Sequence, residues 1–383
     1  MRKRTLLALL ATGLALGACS SLNPMNWFSG PSGPTPAPLV PIADPKAVRV
    51  LWSASVGGAG SFTFSPVFAG DSVYAADRDG SVASFDAASG RQRWRVSVEG
   101  RLSGGVGSDG VLVVVASDEG EVFALDAQSG KVRWRARVSS EVLAAPAVGE
   151  GLVLVRSEDS RIFAFDSVDG KRVWVYQRAP ASLIVRSPTG VTISGDAAYA
   201  GFSGGKLVAI ALNNGIVRWE ANVAVPRGAN ELERITEVLG DPAVRGREVC
   251  AAAYQGRVAC FDTGSGNLLW SREMSVLNGV SLDETNAYVS DDKGAVYAFE
   301  RRSGRSLWKQ DRLANRQLSL PLAVGSEIVV GDLEGYVHFL ARDSGAFVAR
   351  MATGGSPIRA APIRLPAGCL VQTHSGGLFA LAL

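Results

Sequence analysis

Hydrophobic and polar residues alternate in short runs along most of this chain, as in DSVYAAD (71–77), DGSVASFD (79–86), EGEVFALD (119–126), KGAVYAFE (293–300) and EGYVHFLA (334–341). A period of two over five or six residues, bounded by Gly, Asp and Ser, predicts short antiparallel strands joined by tight turns. After these runs a phrase recurs: FDAASGRQRW (85–94), LDAQSGKVRW (125–134), FDSVDGKRVW (165–174), FDTGSGNLLW (261–270) and FERRSGRSLW (299–308). A weaker copy is IALNNGIVRW (210–219), and LARDSGAFVA (340–349) lacks the Trp. From Trp52 to Trp308 the spacings are 42, 40, 40, 45, 51 and 38 residues, and Ala349 takes the next slot after 41. One structural unit is copied, with room for four strands in each copy.

A four-stranded repeat of this length predicts an all-β, eight-bladed β-propeller of antiparallel blades. Turn residues at Gly80, Gly120, Ser160, Gly205, Gly256, Gly294, Gly335 and Gly377 set the count at eight. The chain stops at GGLFALAL (376–383) with no following Trp segment, while an orphan RVLW (49–52) stands near the start. An N-terminal strand completing the last blade would leave no open sheet edge. The recurring carboxylates Asp86, Asp126, Asp166 and Asp262 read as turn acceptors for amides two or three residues on. Each Trp then lies on an outer strand, filling the wedge between neighbouring blades.

The N-terminus changes where the protein is expected. Residues 1–18 have a basic start (Arg2, Lys3, Arg4) and a 12-residue apolar run from Thr5 to Leu16, too short to span a bilayer and typical of a secretory signal. LGAC, ending at Cys19, resembles the lipobox of bacterial lipoproteins, in which that cysteine carries the lipid. Ser20, rather than Asp, after it resembles lipoproteins sent to the outer membrane. Residues 19–47 read as a flexible Pro/Gly-rich tether and 48–383 as the propeller. Loss of the leader leaves 36 basic against 36 acidic residues, so neither nucleic acid nor an anionic lipid surface is an expected partner. His338 and His374 stand alone and no Cys/His cluster is readable, so no metal or other cofactor is expected. Cys250 and Cys260 fall on facing strands of one hairpin; a disulfide and two buried thiols both fit.

Recognition should lie where the repeat breaks. Two adjacent units swell, in YQRAPASLIVRSPTG (176–190) and ANVAVPRGANELERITEVLGDP (221–242), and these insertions should share one rim. The first carries Leu183, Ile184, Val185 and Arg186. The second carries Glu237 and Asp241, with Leu232, Ile235 and Leu239 on one side of an expected helical turn. Apolar groups framed by charge suit a protein-docking patch.

FDAASGRQRW and LDAQSGKVRW resemble the repeat of quinoprotein dehydrogenases and of the outer-membrane assembly factor B (BamB) family, propeller lipoproteins of the β-barrel assembly machine. Lipobox, tether, eight units, both insertions and the segments SLIVRS (182–187), ELERITEV (231–238) and GDLEGYVHFL (331–340) are similar to the second group over essentially the whole chain. That resemblance implies a non-enzymatic scaffold that docks the barrel-folding subunit (BamA) at the outer membrane's periplasmic face and meets unfolded outer-membrane proteins. The implied contacts are Leu183, Val185, Arg186 and Glu237, with Leu239 at a position the family keeps acidic and Asp241 two residues on. A quinone-dependent dehydrogenase is the alternative, but the vicinal cysteines and clustered calcium ligands of such enzymes are not readable here. A glycan-binding propeller would need an aromatic platform that the insertions lack.

Overall fold

The repeated runs fold into eight four-stranded antiparallel sheets, and in seven of them four consecutive strands are hydrogen-bonded in sequence order. The first blade is Val67–Ala69, Ser72–Ala76, Ser81–Asp86 and Gln92–Ser97, from inner to outer strand. The computed structural model describes residues 34–179, 183–230 and 232–383. The leader, Cys19, the start of the tether, Ser182 and Glu231 lie outside the described residues. Residues 37–383 form one unit. The eighth sheet is completed as expected: Ile363–Leu365, Gly368–Gln372 and Gly377–Ala382 are followed outward by Arg49–Ser55, with Trp52 opposite Ala380.

The core is a set of layers between blades. In the strand Leu112–Ser117, Val113 and Val115 pack into a cluster with the first blade, whereas Leu112, Val114 and Ala116 pack into one with the third. Such a strand is buried on both faces, which explains why its sequence, LVVVA, is continuously apolar. Further clusters join each remaining pair of neighbours, and one joins the last blade to the first through Leu370, Ala380, Val73 and Phe85. The ring is therefore closed by apolar contact as well as by the borrowed strand.

Each Trp of the repeat is a latch across a seam. Trp134 on the outer strand Val132–Arg137 donates its indole N–H to the Ser167 carbonyl of the next blade at 2.9 Å. Its ring lies on the turn glycine of that blade: Gly170 has φ +73°, and a Cβ added there would meet the ring at 2.7 Å. Only glycine satisfies both the positive φ and the close approach. Trp52, Trp94, Trp174, Trp219, Trp270 and Trp308 repeat the bond, to Ala87, Ala127, Leu212, Thr263, Arg301 and Arg342. The recurring aspartates hold the turns these latches press on. Asp126 Oδ1 accepts from the Ser129 N–H and hydroxyl at 2.8 Å each, and with Arg133 these bonds hold its carboxyl at about 2. At the second-to-third-strand turns the positive φ falls on Gln255 and Gly376, one residue before the expected Gly256 and Gly377.

The tether is shorter than the sequence implies. From Ala37 the chain lies along the seventh blade instead of hanging free: the Ala37 N–H bonds the Ala314 carbonyl at 2.9 Å and the Lys46 N–H bonds Val348 at 3.0 Å. Arg316 donates to the Ala37 carbonyl at 2.8 Å and Arg350 to that of Val40 at 3.1 Å. Behind them is a buried polar cluster in which Asp332 accepts from Arg316 at 2.7 Å and contacts His338 Nε2 at 2.8 Å. Burial pushes the His338 pKa down, so the neutral ring donates to Asp332 and its Nδ1 accepts from Arg350 at 3.2 Å. Cys250 and Cys260, directly opposite on adjacent strands, form a disulfide, and Cys369 is a buried thiol.

Candidate docking site

Both insertions run from an outer strand to the inner strand of the next blade, so they emerge on one face, as expected from their spacing. The residues between them are tied together by main-chain and carboxylate bonds. Glu237 Oε2 accepts the Val185 N–H at 2.6 Å, and Asp241 Oδ1 accepts the Gly190 N–H at 2.6 Å. The Gly240 N–H donates to Thr189 Oγ1 at 3.1 Å, and Thr192 Oγ1 donates to the Pro242 carbonyl at 2.6 Å.

These bonds reassign the acidic half of the expected patch. No helical turn carries Leu239; the inner strand of the fifth blade starts at Glu237 and runs to Arg245. Leu239 is 1% exposed and Glu237 6% exposed, so neither offers surface to a partner. Burial raises the Glu237 carboxyl, while the Val185 N–H and the Arg156 guanidinium work against that rise. Glu237 and Asp241 are thus positioning residues that hold 185–190 against the ring. The surface is left to Leu183 (44% exposed), Ile184 (42%) and Arg186, with Leu232 (68%) and the exposed Asp241 on the neighbouring insertion.

Arg186 is paired, but not with the second insertion. Its guanidinium binds both oxygens of Glu141 at 2.6 and 2.7 Å and lies 5.4 Å from the centroid of Phe62, which Arg78 approaches at 4.3 Å. The backbone of the loop is therefore held by its neighbour, while the Arg186 side chain reaches toward loops of other blades. About half of the Arg186 side chain stays accessible.

Arg156 escaped the sequence reading. It bonds the Gly201 carbonyl at 2.5 Å, stacks 4.8 Å from Phe202 and faces Glu237 and Glu158 under the 184–185 backbone. Burial lowers its pKa and the carboxylates oppose that. The signal was present: LVLVRS (152–157) sets an arginine where the copy forty residues earlier, LVVVAS (112–117), has Ala116. A cation in a buried strand position requires nearby carboxylates.

Comparison with known proteins fixes the family. A model described as outer membrane protein assembly factor BamB matches residues 78–310. The outer membrane protein assembly factor BamB of Bordetella pertussis is 44% identical over 373 residues, spanning 97% of this chain and 95% of the relative. The crystal structure of BamB from Moraxella catarrhalis superposes with a TM-score of 0.81 at 25% identity, covering 88% of this chain and all of the other. A quinohemoprotein alcohol dehydrogenase from Comamonas testosteroni has a TM-score of 0.70 at 13% identity, covering 87% of this chain and 76% of its own, a likeness of fold alone. The chain belongs to the outer membrane protein assembly factor BamB family.

Proposed function

We propose that this protein is a lipid-anchored scaffold of the outer-membrane β-barrel assembly complex, held at the periplasmic face by Cys19, and that it docks the barrel-folding subunit BamA through the loop carrying Leu183, Val185 and Arg186. The observation that carries this reading is the fixed presentation of that loop. Two carboxylates, Glu237 and Asp241, hold main-chain N–H groups at Val185 and Gly190, which lowers the loop entropy lost when the exposed side chains at 183 and 184 bind. Exposed leucine and isoleucine beside an arginine supply the apolar centre and cationic anchor that such contacts use. No catalytic role is assigned to any residue.

The test is affinity capture from gently solubilised envelopes with the parent and a Leu183→Ala/Arg186→Ala variant. The barrel-folding subunit should accompany the parent and be depleted from the variant. Equal recovery would place docking elsewhere on the ring.

A further inference from the structure

Seven of the eight seams carry a Trp latch; the seam between the seventh and eighth blades does not. The Trp position of the seventh blade is Ala349, paired with Phe339. In every other blade the residue opposite the Trp is small: Ser84, Ala124, Ala164, Ala209, Cys260, Ala298 and Ala380. The ring has changed strands, and one phenyl does not fill what an indole fills elsewhere. A cavity of about 310 Å³ opens there, lined by Val329, Phe339, Leu381 and Leu383, with Glu327 and Arg364 at its mouth. This lies at the low end of the roughly 300–1,000 Å³ typical of ligand sites.

The register identifies what fits. Val329 stands where Tyr74 and Tyr288 flank Trp94 and Trp308 in their own blades. Leu370 opposite Ala380 and Cys369 opposite Leu381 place Leu383 where Ala87 presents its latch carbonyl to Trp52. The slot thus keeps the apolar walls and the main-chain acceptor position of a latch.

We propose that this seam is a docking slot for an aromatic side chain, indole foremost, carried by an extended segment of a separate polypeptide. The seven filled seams define the occupant's chemistry: a flat ring inserted between blades with its N–H aimed at a main-chain oxygen. In each of them the ring is delivered from an extended strand.

The test is a titration of the full chain with the blocked peptide Gly-Gly-Trp-Gly-Gly, its Leu analogue and free indole, followed by methyl NMR of Val329, Leu365 and Leu381. The Trp peptide should give saturable shifts confined to those methyls, binding at least about ten-fold more tightly than the Leu peptide or indole. The swap Phe339→Ala/Ala349→Trp rebuilds the pattern of the other seven blades and should abolish the shifts; Val324→Trp, which fills the cavity from its rim, does the same if the swap does not fold. Absent shifts, undiminished binding to both filled variants, or equal affinity for the Leu peptide or indole would overturn the proposal. So would binding that appears only after Trp27→Ala, which would make this chain's own remaining tryptophan the occupant.

Discussion

Replacing Trp134 tests the latch directly. The ring is 7% exposed, packs in the layer with Leu112, Val114 and Phe165, and covers Gly170 of the next blade. Truncation to Ala removes the ring and its buried contacts, for which large aromatic deletions cost about 3–5 kcal/mol. It also strands the Ser167 carbonyl, whose bond at 2.9 Å has no replacement. Trp134→Phe keeps most of the packing and loses mainly that bond, a cost of about 1–2 kcal/mol. Against a typical domain stability of about 5–15 kcal/mol, the Ala variant should be close to unfolding and the Phe variant well folded. Urea titration followed by far-UV circular dichroism, with the slope unchanged between variants, reads both values. An Ala cost below about 1 kcal/mol, or a Phe variant as damaged as the Ala one, would refute the latch.

Three further outcomes follow from the same geometry. Deleting residues 49–55 removes the outer strand of the last blade together with Trp52, and the whole ring should lose cooperativity; an unchanged urea midpoint would contradict closure. Asp126 has a folded carboxyl pKa near 2, below its ordinary value near 3.9, so its contribution is present above pH about 4 and is lost as the pH falls through about 2. The urea-midpoint difference between the parent and Asp126→Asn should therefore shrink from pH 5 to pH 2, and a constant difference would contradict the assignment. In a chain beginning after Cys19, maleimide should label no cysteine natively, because burial pushes the Cys369 thiol up to about 12 and the other two are joined. After unfolding it should label one without reductant and three with it; a native label would contradict the burial of Cys369, and three labels without reductant would contradict the pairing.

The ring was legible because its determinants are side chains repeated at fixed spacing. A Trp needs a glycine floor and a small cross-strand partner, and all three recur in the sequence. The docking face was legible only in part. The swelling after Trp174 marks the loop with Leu183 and Arg186, but whether Glu237 and Leu239 face solvent depends on where the fifth inner strand begins. Pairing with the second strand of the same blade settles that, through a register irregularity between Leu239 and Ala243. Residues 37–47 were read as free because the groups that hold them are carbonyls, at Ala37 and Val40, which leave no trace in a side-chain pattern. The Arg186–Glu141 pair escaped for a related reason, since it joins loops of different blades 45 residues apart.

The central claim is that a loop positioned by the carboxylates of Glu237 and Asp241 docks the barrel-folding subunit. The most direct measurement is equilibrium binding of the purified chain to the purified periplasmic domains of that subunit, comparing the parent, Leu183→Ala/Arg186→Ala and Glu237→Ala. The account predicts a dissociation constant raised at least about ten-fold by the surface pair with an unchanged urea midpoint, and weakened binding from Glu237→Ala although that residue touches no partner. Parent-like affinity in both variants would contradict it.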